Sequence, residues 1–123
     1  MNAEDLKKRT KNFAHRCVKL SLSLSENPLG YHIRKQLIRS STSVAANYRA
    51  ACMSQSKASF VAKLSVVVEE IDETLFWIEF LTDENLVHKD KVQDLYEEAR
   101  ELTAIFVASR KTSGPRNDLA KTN

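Results

Sequence analysis

The chain has almost none of the residues that break or turn a backbone. Among 123 residues there are two glycines and two prolines. A multi-stranded sheet needs turn chemistry at every strand end, so an all-helical fold is expected instead. Cysteine is equally scarce. Cys17 and Cys52 stand far apart and form no Cys-x-x-Cys, which argues against a redox pair or a zinc site. No apolar run approaches the roughly 20 residues that cross a bilayer. The opening residues 1–9 lack the apolar core of a secretory leader. These absences predict a cytoplasmic protein with reduced thiols. One domain of this length buries a core without disulfides or metal.

Catalytic patterns are missing too. Neither Gly30 nor Gly114 belongs to a Gly-rich phosphate loop, and no Gly-x-Ser-x-Gly elbow is present. His15, His32 and His88 fall in three separate segments, with no His-x-x-x-His pair and no Glu-x-x-His. Glu69, Glu70 and Glu73 read as a solvated acidic face rather than a cation site. The expectation is a protein that is not an enzyme and holds no metal or cofactor.

What the chain does have is helical periodicity in four stretches. Leu6, Phe13, Cys17, Leu20 and Leu24 mark the first, over about 4–24. Ser25 to Pro28 breaks it. The second runs from about 29 to 53. The third follows a cap at Ser54 or Ser56 and carries Phe60, Leu64, Val67, Ile71, Leu75, Ile78 and Leu81. Either Phe76 or Trp77 is expected in the core, with the other exposed. A fourth, from about 89 to 110, carries Val92, Leu95, Ala99, Leu102 and Phe106. The reading is all-α: an up-and-down antiparallel four-helix bundle over 1–111, then a flexible tail over 112–123.

Charge is unevenly shared along the chain. Residues 1–50 carry +7, residues 51–110 carry −6 and residues 111–123 carry +2, for a net +3. Three arrangements satisfy that split: a basic hairpin beside an acidic one, basic and acidic faces meeting between subunits, or a basic half that binds nucleic acid. The second helix concentrates the question. Ile33, Leu37, Ser40, Val44, Tyr48 and Ala51 form its inward stripe, and Ser41 and Ala45 lie on a flank of small side chains. Lys35, Arg39 and Arg49 occupy the opposite side. Asn47, beside the stripe, reads as an amide bonded between helices or as a residue setting helix register.

The run Gln36-Leu37-Ile38-Arg39-Ser40-Ser41-Thr42-Ser43-Val44-Ala45-Ala46-Asn47-Tyr48-Arg49 resembles the second helix of a bacterial four-helix-bundle family. That family includes proteins encoded in intervening sequences of 23S ribosomal RNA genes and is similar to the accessory protein of diversity-generating retroelements. Ser56-Lys57-Ala58 through Leu64, and Glu70-x-x-Glu73-Thr74-x-x-Trp77-Ile78, resemble the third helix, so the likeness spans about 6–108. Many relatives have Glu where this chain has Ala50, which leaves the local charge more positive. The resemblance implies a homopentameric ring and, in the retroelement branch, a basic surface that binds nucleic acid and a reverse transcriptase. Phosphate binding requires several cations on one surface. The expected RNA or DNA contacts are therefore Arg34, Lys35, Arg39 and Arg49, with Lys7, Lys8, Arg9 and Lys11 on the first helix. The expected oligomer interface is Ser41, Ala45, Tyr48, Glu73 and Trp77. The rival expectation is a pure assembly protein whose basic helix face meets a neighbour's acidic helix.

Overall fold

A computed structural model of the protein describes residues 1–113. Four α-helices follow one another: α1 (Ala3–Leu22), α2 (Pro28–Cys52), α3 (Lys57–Asp83) and α4 (Lys89–Ser113). No strand occurs among the described residues. α1 packs on α2, α2 on α3 and α3 on α4, and a slighter α1–α4 seam closes the bundle. Short connections force each helix antiparallel to the one before it. α4 runs through Thr112 and Ser113, two positions read from sequence as tail, and the remaining tail residues lie outside the described part.

The first three helices start where a side chain can satisfy the orphan amides of the first turn. Asn2 accepts from the Asp5 amide at 2.8 Å while the Asp5 carboxylate accepts from the Asn2 amide, a reciprocal capping box. Asn27 accepts from Gly30 N–H at 2.8 Å, and Pro28 follows it with no amide to lose. Ser56, one of the two expected caps, accepts from Ser59 N–H. The stop of α3 is chemically specific. Asn85 takes φ 57°, the left-handed conformation that Asn tolerates better than most residues. Leu86 N–H then reaches Leu81 O at 2.9 Å and Asn85 N–H reaches Thr82 O at 3.1 Å, the double bond pattern of a Schellman stop.

The periodic apolar positions meet in one core. Phe13, Cys17, Ile33, Leu37, Val44, Leu64, Val67, Ile71, Leu102 and Phe106 have no exposed surface. Burial pushes the Cys17 thiol up to about 12, so it is an unreactive packing residue. Five polar side chains are also buried: Thr10, Ser21, Ser40, Ser41 and Thr74. Most close onto carbonyls of their own helix, as Ser21 does onto Cys17 O at 2.8 Å. Thr74 does more. Its hydroxyl is also hydrogen-bonded with Ser40 Oγ at 2.9 Å across the α2–α3 seam. The register role considered for Asn47 therefore falls to Ser40 and Thr74. Asn47 instead donates within its own helix, to Ser43 O and Ser43 Oγ.

Candidate functional site

Arg39 is the centre of the basic face expected on α2, and it is already occupied. Its guanidinium lies against Glu70 at 3.1 Å and against Glu73, bridging α2 to α3. The Arg39 hydrogen bond, partly offset by burial, holds the Glu73 carboxyl below its usual range. Trp77 Nε1–H also donates to Glu73, at 3.1 Å. The Arg39–Glu73–Trp77 set thus ties two helices of one chain together.

Two more expected phosphate ligands are similarly spent. Arg9 forks onto Glu98 at 2.7 and 2.8 Å and reaches Glu101 at 2.8 Å, closing the α1–α4 seam. Arg34 donates to Ser21 O at 3.1 Å and Leu24 O at 2.8 Å, serving carbonyls at the end of α1, and its guanidinium lies 5.5 Å from the Tyr31 ring centre. Arg9, Arg34 and Arg39 are therefore structural cations. The partners of all three come from elsewhere in the chain, α4 for Arg9, the end of α1 and its following turn for Arg34, and α3 for Arg39, which spacing within one helix does not reveal.

The Arg9 latch has a pH consequence. Glu98 has a side chain only 17% exposed, and the Arg9 hydrogen bond depresses its pKa. A depressed folded-state pKa means the stabilisation is complete above the ordinary value of 4.5 and is lost as pH falls through the lower folded value. Glu98→Gln is expected to cost about 1.5–3 kcal/mol near neutrality, the range for hydrogen bonds to charged groups. It should also flatten the acid limb of a stability–pH curve. Urea midpoints measured from about pH 6 down to about pH 3 check both. An acid limb identical to that of the parent chain would rule the latch out.

The remaining basic residues converge elsewhere. Lys7, Lys8 and Lys11 from α1 and Arg49 from α2 line an open groove of about 740 Å³ along the outer α1–α2 seam. Ala14, Val18, Ala45 and Ala46 supply its apolar lining, with His15 and Thr42 beside them. Lys7 pairs with Glu4 at 2.7 Å. Lys8, Lys11 and Arg49 form no ion pair among the described residues, and all three are exposed. Lys35 is exposed on α2 but does not line the groove. The lining by Ala14 and Val18 was not foreseen. Its signal was available, since both follow Lys7 and Lys11 at helical steps on the flank of the α1 apolar stripe.

The expected interface residues also separate. Ser41 and Tyr48 lie inside the bundle, 0% and 5% exposed, so neither presents its side chain to a second chain. Tyr48 packs on Phe106 with ring centres 5.4 Å apart. Ala45 lines the groove, and Glu73 is held by Arg39. Trp77 is half-buried, with His32 edge-on at 5.4 Å, while its neighbour Phe76 is 50% exposed. No group of three or more His, Cys, Asp or Glu residues able to hold a metal occurs among the described residues. None of the described helices is long and apolar enough to cross a membrane.

Comparison with known proteins agrees with this architecture. A search of curated proteins finds no match. A crystal structure from Bacteroides thetaiotaomicron, described as a protein with unknown function from the S23 ribosomal protein family, superposes with a TM-score of 0.83. It is 29% identical, over 91% of this chain and 100% of that one. The family profile described as 23S rRNA-intervening sequence protein matches residues 4–108, which takes in all of the motif-bearing α2 and α3. By that match the chain belongs to the 23S rRNA-intervening sequence protein family.

Proposed function

We propose that the protein is a non-enzymatic assembly module whose α1–α2 groove receives an acidic helix, joining subunits into a closed ring. Five subunits is the order that the family resemblance implies, and it forms part of the proposal. One observation carries the reading: Lys8, Lys11 and Arg49, without an ion pair among the described residues, line one groove with the apolar Ala14, Val18, Ala45 and Ala46. A nucleic-acid backbone seeks cations over a polar, hydrated surface. An amphipathic helix offers apolar side chains to the lining and carboxylates to the rim. Charge split between two halves of one chain suits the head-to-tail contacts from which rings are built.

Sedimentation velocity tests the reading. The expected result is an oligomer at low ionic strength whose mean mass falls as salt approaches roughly 1 M, where screening acts within about 3 Å. A monomer at every concentration and salt would sink it. Binding of RNA or DNA is the second reading, favoured by the same three unpaired cations. It predicts retention of labelled RNA at low salt, weakened by reversal of Lys8 and Lys11, with a reduced salt slope. Salt-independent absence of retention disposes of that second reading.

A further inference from the structure

The outward face of α3 carries one continuous stripe of exposed side chains, bordered at Glu79 by Tyr96 of α4. Glu69, Asp72, Phe76, Glu79 and Asp83 follow one another at alternating three- and four-residue steps, and all five are exposed. That spacing places them in a single row along the helix, on the side away from the core positions Leu64, Val67, Ile71 and Ile78. Phe76 sits at the middle of the row, 50% exposed, braced by Trp77 at 4.9 Å and Phe80 at 5.7 Å between ring centres. Glu79 accepts from Tyr96 Oη–H, while Glu69, Asp72 and Asp83 form no ion pair among the described residues. An aromatic ring between two acids on each side is the chemical complement of an apolar lining rimmed by lysine and arginine.

We infer that the occupant of the α1–α2 groove is the α3 stripe of a second copy, with Phe76 seated against Ala14, Ala45 and Ala46 and the flanking carboxylates set among Lys8, Lys11 and Arg49. This rests on the assembly reading above and names the surface that fills the groove. Three features select the second copy. The stripe and the groove have opposite charge. Both are apolar at their middle, so the pairing buries surface that each would otherwise leave in water. They also lie on different helices facing different directions, so one copy can engage two neighbours at once, and the contact propagates head to tail. Glu70 and Glu73 fall outside the exposed row by helical phase and are bound within the chain by Arg39.

Charge reversal with rescue tests the inference. Every substituted position is exposed, and an unchanged helical circular dichroism spectrum and melting temperature confirm that each variant folds. Lys8→Glu with Lys11→Glu, and separately Glu69→Lys with Asp72→Lys, are expected to weaken association tenfold or more, roughly the penalty of removing central interface contacts. The chain carrying all four changes is expected to assemble again. Phe76→Asp should weaken assembly without a rescue by the charge changes. If the parent chain assembles but the reversed variants assemble equally well, this pairing is overturned while the assembly reading stands. If both reversed variants dissociate and the combined chain stays monomeric, the direct stripe-to-groove contact is overturned. A monomeric parent chain overturns both.

Discussion

Phe106→Ala is expected to cost about 3–5 kcal/mol, the range for truncating a buried aromatic. Phe106 is 0% exposed and lies in α4, which is held to α1 only by the slighter seam. Its ring packs on Tyr48 of α2 at 5.4 Å with the planes tilted by 41°, so it reaches the diagonal helix. Removing it leaves a cavity in the common core, between helices that are tied by caps and ion pairs, which limits collapse into the space. A domain of this size holds about 5–15 kcal/mol in total, so one truncation removes a large share. Urea unfolding measures the loss directly. Tyr48 gives a second reading. Burial and its Cys52 neighbour raise the Tyr48 phenol above its ordinary pKa, and opening the cavity should bring the alkaline titration back toward that value. A urea midpoint within experimental error of the parent would show that Phe106 does not anchor the core.

Gly30→Ala should destabilise, which reverses the sign that helix propensity assigns. Alanine is favoured over glycine inside a helix by about 1 kcal/mol. At position 30, though, a Cβ would stand 2.0 Å from Ser25 O and 3.1 Å from Ser25 C. Both are backbone atoms of the α1–α2 connection and have no rotamer through which to yield. Moving that connection disturbs what it carries: the Asn27 cap, whose Oδ1 accepts from Gly30 N–H at 2.8 Å, and the Arg34 bonds to Ser21 O and Leu24 O. The expected net cost is about 1–3 kcal/mol, typical of forced overpacking. Asn27→Ala, expected to cost about 1 kcal/mol as a lost cap, should be less than additive with it, because both changes release the same contact. A stabilised Gly30→Ala chain would show that the connection moves freely and that propensity alone decides.

The two positions differ in how far they could be read in advance. Phe106 belonged to the apolar stripe of the fourth helix, so its burial followed from spacing. Gly30 falls near the start of the second periodic stretch, and nothing in the sequence shows its restriction, because the atom that restricts it belongs to residue 25, folded back across the connection. Asn85 shows the same limit. The polar run Thr82-Asp83-Glu84-Asn85 is visible in the sequence, but the left-handed turn at Asn85 that makes the stop depends on carbonyls of the preceding turn.

Four helices, their inward stripes and the polarity of the two halves are set by local order along the chain. A helix turns every 3.6 residues whatever surrounds it, so spacing alone decides which side chains share a face. The fate of the outward charges was decided only by tertiary structure. Arg39, Arg9 and Arg34 were expected as phosphate contacts alongside Arg49, and packing brought carboxylates or carbonyls to the first three while leaving Arg49 beside a groove. The reason is reach. A long cation samples several ångströms around its helix, and its partner is chosen by which neighbouring helix stands within that distance.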